Sequence, residues 1–293
     1  MSRLPAKTFS HALPFVPGLI LLIYACARIL EVVPGPVPRI WIVALDILSA
    51  LAFALLDGAR HYRLRGVLVF AAICAIVGNL IENLGVMTGF PFGRYYFADL
   101  MGPKLFHVPV LLGMAYIGMA YVSWMLACAI VGTSDAQMRG LRIVALPLTA
   151  SFVMVAWDLA QDPVWATVLH GWVWADGGPW FGVPISNYLG WYGTVFIIYL
   201  LFALYLRRRS VPPISTPRPS PRPALLFYAL CAAGNVLQAA SHLAPAVVRD
   251  PTGKEWRVAD ITGASALVSI FAMGAFATFA WIRLVGQEEA ATG

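Results

Sequence analysis

Charged side chains are scarce in this chain: Asp, Glu, Lys and Arg make up 12% of its 293 residues, where a soluble domain carries about 25%. Hydrophobic residues fill 60% of the sequence and the mean hydropathy is +0.77, so water is not the main solvent. The three lysines, Lys7, Lys104 and Lys254, fall outside the long apolar runs, which leaves a retinal-type Schiff base inside a helical bundle without a candidate. The five histidines, at 11, 61, 107, 170 and 242, never cluster, so the His boxes of a membrane di-iron hydroxylase or desaturase are missing. Four cysteines (Cys26, Cys74, Cys128, Cys231) lie within apolar runs with no CxxC spacing; they read as small packing residues, not as a disulfide or metal framework. No phosphate-binding glycine loop and no GxSxG nucleophile turn occurs. No metal and no cofactor is therefore expected.

What is present is length of apolar chain. A bilayer core about 30 Å thick needs roughly 20 mostly apolar residues per helix. Eight such stretches occur, near 13–33, 40–57, 66–87, 108–131, 141–160, 188–206, 223–245 and 260–284. The expectation is an all-α, polytopic transmembrane bundle of about eight spans forming a single membrane domain over 1–293. Arg3 and Lys7 before an apolar run, with Ala25-Cys26-Ala27 behind it, also resemble a signal peptide, but cleavage would leave an odd number of spans. With the N-terminus inside, thirteen Lys and Arg fall in inner segments and six in outer ones; the bias places both termini in the cytoplasm and the chain in the cell membrane. The net charge of +6 is thus a topology signal and not a nucleic-acid footprint. Residues 207–223, RRRSVPPISTPRPSPRP, read as a Pro- and Arg-rich cytoplasmic linker between spans one to six (1–206) and the last pair (224–293), or as a loop that only touches anionic lipid.

Ionisable residues within spans cost roughly 2.5–3.5 kcal/mol each at the helix centre, and here they gather toward the outer side: Asp46, Glu82, Asp158 and, just beyond the fifth span, Asp162. Asn79, Glu82 and Asn83 share one helical face, Asp158 and Asp162 are spaced i and i+4, and Asn235, Gln238 and His242 form a further stripe. Amides and carboxyls at such positions either hydrogen-bond helices together or build a site. Carboxyls favour the second reading for Glu82, Asp158 and Asp162, since amides would join helices at lower cost. In a dry site two carboxyls do not both hold charge, so one serves as acid and another as base. Two outer loops, after Glu82 and from Asp162, are crowded with Gly, Pro and aromatics; loops of this length are more often functional than idle. Tyr95, Tyr96, Trp165, Trp172, Trp174, Trp180 and Trp191 form either an interfacial belt or the walls of a groove for a flat, conjugated ligand.

The run ENLGVMTGFPFGRYYF (82–97), with DLAQDP (158–163) and WVWADGGPWFGVPISNYLGW (172–191), resembles the multi-pass carotenoid biosynthesis proteins that include the CruF-type carotenoid hydratases and bisanhydrobacterioruberin hydratase. The likeness covers about residues 66–200 and departs at Pro179-Trp180, where another aromatic such as Tyr is expected. It implies a carotenoid hydratase, a hydro-lyase that adds water across the terminal double bond of an acyclic end group to give a tertiary hydroxyl, without a redox cofactor. On that resemblance Glu82, Asp158 and Asp162 are the catalytic candidates. Asp158 or Glu82 protonates the alkene, and Asp162 delivers and deprotonates water oriented by Asn83 and Asn187. Asn79, Asn83, Tyr95, Tyr96, Trp172, Trp174, Asn187 and Trp191 are the substrate-binding candidates. The expected partners are a lycopene-like or longer carotene, membrane lipids and other carotenoid enzymes, with no nucleic acid. Two readings from other classes stay open: a proton-coupled transporter or lipid-carrier flippase, for which no internal repeat is seen, and a non-catalytic carotenoid-binding protein.

Overall fold

The computed structural model describes residues 15–132, 138–209, 219–241 and 246–292; Arg3, Lys7, His11, most of the 207–223 linker and His242 lie outside the described residues. The protein is all-α, with helices α1 (Phe15–Leu30), α2 (Arg39–Thr88), α3 (Val110–Val131), α4 (Arg142–Pro163), α5 (Ile185–Arg208), α6 (Arg222–Ala240), α7 (Val258–Val268) and α8 (Gly274–Thr292). A π-helical turn, Ser269–Met273, joins α7 to α8. Among the described residues, six helices are long and apolar enough to cross a membrane: α2, α3, α4 with the turn that follows it, α5, α6, and α7 with α8.

The 50-residue helix α2 is not straight. Arg63 leaves helical geometry at φ 59° and ψ 163°, and a Cβ added at Gly58 would lie 2.5 Å from Val67 Cγ2, so the two arms fold back on each other. The expected loop around Arg60–Arg65 is thus a break at one residue. Its cost is offset locally: the Tyr62 carbonyl accepts from Arg209 Nη1 at 3.1 Å, and the buried Asp57 accepts from Arg60 Nη1 at 3.0 Å and Tyr121 Oη at 2.8 Å.

Helix α3 is the centre of the bundle. Every residue from Gly118 to Ala127 is buried, as expected of a helix apolar on all sides, and α2, α4, α6 and α8 all pack on it. The last helices belong to the same bundle, since α6 packs on α1 and α7 on α4.

The loops that follow Thr88 and Pro163 meet through an antiparallel pair, β1 (Tyr95–Phe97) with β4 (Trp172–Trp174). Lys104–Leu105 (β2) pairs with Val108–Pro109 (β3), and β5 (Val247–Arg249) pairs with β6 (Glu255–Arg257). Asp250 holds the last hairpin: its carboxylate accepts from the Thr252 and Lys254 amides, from Thr252 Oγ1 at 2.6 Å and from Trp256 Nε1 at 2.9 Å. Burial pushes this carboxyl up, but the Thr252 and Trp256 hydrogen bonds outweigh it and hold it below the usual carboxylate range. A lowered folded-state value means that its stabilisation is complete above the unfolded value and is lost as the pH falls through the folded one. Protection of the Val247–Arg257 amides from hydrogen exchange, taken relative to the unstructured rate at the same pH, should therefore fall as the pH drops below about 3.8, and Asp250→Asn should show low protection already at neutral pH with little further change on acidification.

Candidate functional site

Four carboxyls meet in one cavity. It encloses about 920 Å³ including its mouth, and its walls come from α1, both arms of α2, α3 to α6 and the paired loops. Glu82 enters from the second arm of α2, Asp158 and Asp162 from α4, and Asp46 from the first arm of α2. Asp162 lies inside α4 and not in a loop, because the helix continues through Pro163 into a π turn, Val164–Val168. Proline has no N–H to donate four residues back, which frees the Leu159 carbonyl; Trp180 Nε1 donates to it at 3.2 Å. Extending the helix past Pro163 thus tethers the second loop to it.

The carboxyls differ in their partners. Asp162 Oδ1 accepts from Trp172 Nε1 at 2.6 Å and its Oδ2 accepts from Asn187 Nδ2. Glu82 accepts from Tyr95 Oη on one oxygen and from Tyr116 Oη at 3.1 Å on the other. Asp158 Oδ2 is shielded and accepts no hydrogen bond. A buried polar atom without a partner is uncommon in folded proteins and asks for a purpose.

Strand alternation selects the aromatic wall. Tyr95 pairs with Trp174 and Phe97 with Trp172, and with a side-chain period of two these four share one face, where all of them line the cavity. Tyr96 and Val173 point the other way, and Tyr96 is 55% exposed, so it does not belong to the wall as expected. Tyr95 and Trp174 rings lie 4.7 Å apart, and Trp165 and Trp172 stack 5.9 Å apart at 7°. Trp191 stacks on Phe92 at 5.5 Å and meets Tyr116 at 4.4 Å.

The glycines of the two loop motifs have a steric reason. A Cβ at Gly85 would lie 2.6 Å from the Phe92 ring, and one at Gly190 would lie 2.7 Å from it. Phe92, itself 1% exposed, is therefore clamped between α2 and α5 and brings the loop down onto the helices. Ser186 Oγ donates to the Phe92 carbonyl at 2.7 Å and completes the clamp.

Of the residues expected at the site, Glu82, Asp158, Asp162, Tyr95, Trp172, Trp174, Asn187 and Trp191 line the cavity. Asn79 and Asn83 do not: Asn83 Nδ2 donates to the Asn79 carbonyl at 2.7 Å and to its Oδ1, while Asn83 Oδ1 accepts the His107 amide at 3.0 Å. That pair ties the first loop to α2. Asn187 touches Asp162 directly and so anchors a carboxyl. Sequence reasoning missed Tyr24, Arg28, Tyr116 and Gln161, which also line the cavity. Gln161 sits between the two aspartates of DLAQDP, and Tyr116 is a phenol within an apolar helix; both signals were in the sequence. Arg28 is a charge inside the first apolar stretch, 13–33, and its place in the cavity depends on the packing of α1.

The model of a family described as carotenoid biosynthesis protein matches residues 40–249. The chain is also similar to a bisanhydrobacterioruberin hydratase of Haloarcula japonica, 31% identical over 123 residues, which cover 42% of this chain and 40% of that protein. The matched stretch therefore spans less than half of that relative's length. No solved structure matches the chain significantly.

The Phe92 clamp is testable by adding one methyl group. Gly85→Ala or Gly190→Ala should each cost about 1–3 kcal/mol by overpacking, measured as unfolding of the detergent-solubilised protein, whereas Gly113→Ala, which meets nothing within 4 Å, should avoid this steric cost.

Proposed function

Because this chain belongs to the carotenoid biosynthesis protein family, we propose that it is a membrane-embedded carotenoid hydratase that adds water to the terminal double bond of an acyclic end group. The observation that carries this reading is the cavity itself: carboxyls from two helices converge on a space walled by indoles and phenols, and Asp158 has an oxygen there with no partner. A flat, apolar polyene end suits such walls, and the hydratase activity named for the relative needs a proton donor in a dry place.

Asp158 is the acid in this reading, because the charged groups acting on it are other carboxyls and no donor reaches its Oδ2. Its proton passes to the less substituted alkene carbon, and the tertiary carbon becomes cationic. Asp162 accepts from two N–H groups that can only donate, which favours its carboxylate form, and in this reading it supplies negative charge beside the cation, as do the aromatic faces. With both its oxygens occupied, Asp162 is poorly placed to carry water as well. Glu82 is met by two phenols, which can donate to a carboxylate or accept from a carboxylic acid. Water then closes the C–O bond, and no redox cofactor takes part.

The same reading takes the two arms of α2 as separate crossings and α1 as another. This yields eight spans with both termini cytoplasmic in the cell membrane, in agreement with the asymmetry of Lys and Arg.

Expression in a host that accumulates lycopene should yield a more polar carotenoid heavier by one or two waters, detected by chromatography with mass detection. Asp158→Asn should lower that product by about 100-fold or more while the protein remains folded in membranes. Unchanged pigment together with proton flux across vesicles would favour a transporter instead.

A further inference from the structure

Of the four carboxyls that line the cavity, Asp162 and Glu82 have their oxygens engaged by donors. Asp158 and Asp46 each keep a shielded oxygen that accepts no hydrogen bond, Oδ2 and Oδ1 respectively. The two differ in the charges around them. Those acting on Asp158 are Asp162 and Glu82, whereas those acting on Asp46 are the Arg28 guanidinium and Glu31. The cavity therefore has two poles, one made only of acids and one with a cation.

The second pole is held by hydrogen bonds of its own, and among the described residues no donor reaches Asp46 Oδ1. Arg28 Nη1 pairs with Glu31 at 2.9 Å and its Nη2 donates to Asn235 Oδ1 at 2.8 Å. Gln161 Nε2 donates to the same oxygen at 2.7 Å, and Asn235 Nδ2 donates to Ser269 Oγ at 2.9 Å. Arg28 Nε is also shielded without a partner. Asp46 thus lines the cavity, carries an unpaired oxygen and feels the Arg28 charge, and the smallest donor that could satisfy it is water.

We propose that Asp46 is the general base of the hydration, holding the attacking water and taking its proton. This rests on the hydratase reading and adds the group that reading leaves unassigned. The alkene π pair forms a C–H bond with the Asp158 proton, leaving a tertiary cation and an Asp158 carboxylate. A lone pair of the water held by Asp46 forms the C–O bond, and the released O–H proton passes to Asp46. Transfer of that proton back to Asp158 through water restores both groups, so one water is consumed for each alcohol formed.

The test uses membranes containing the full chain and an acyclic carotene in heavy water, with mass analysis of both the alcohol and the recovered alkene. Asp46→Asn should lower the alcohol by about 100-fold yet still place deuterium in the recovered alkene, since Asp158 continues to give and retake a proton. Asp46→Glu should restore part of the alcohol, and Asp158→Asn should lose both signals. Wild-type alcohol yield from Asp46→Asn, or loss of deuterium exchange along with the alcohol, would overturn the assignment. No alcohol from the unaltered chain would instead sink the hydratase reading beneath it.

Discussion

The Asp162 carboxylate, held between Trp172 Nε1 and Asn187 Nδ2, is the interaction on which the site depends. A carboxylate buried without donors costs several kcal/mol, so its two donors must arrive together. One comes from β4 and the other from the first turn of α5, and the carboxyl itself stands near the end of α4. Three segments thus converge on one carboxyl, and the strand that supplies Trp172 also sets the register of β1, which carries Tyr95 to Glu82.

The second constraint is close packing. Phe92 fits between α2 and α5 because Gly85 and Gly190 leave room for its ring, and that insertion places the first loop over the cavity. The Leu159 carbonyl, freed by Pro163, anchors the second loop through Trp180. Both loops are therefore part of the wall, fixed by helix-borne groups, and the aromatic faces they present are held in place before any ligand arrives.

Within this frame the polar groups divide. Some join helices: Asn79 with Asn83, and Asn235 with Arg28, Gln161 and Ser269. Others face the cavity with unspent hydrogen-bonding capacity, namely Asp158 and Asp46. Membrane-embedded polar residues thus join helices at some positions and line the cavity at others in one molecule. Residue type alone does not separate them, since Asn187 and Asn83 have the same side chain and different tasks.

By itself the sequence determined that the chain is a helical membrane protein, because the length and apolarity of its runs leave few other ways to satisfy backbone groups in lipid. It also singled out Glu82, Asp158 and Asp162, whose expense within apolar helices is visible without coordinates and which the fold brings to one cavity. Only the tertiary structure decided which amides and rings join them. Tyr96 turns away because the strand pairing sets alternate faces, Asn83 is diverted to the His107 amide, and Arg28 and Asp46 enter the cavity through the packing of α1 and α2 on the rest. Such choices depend on register and helix rotation, and these are set by contacts between segments far apart in the chain.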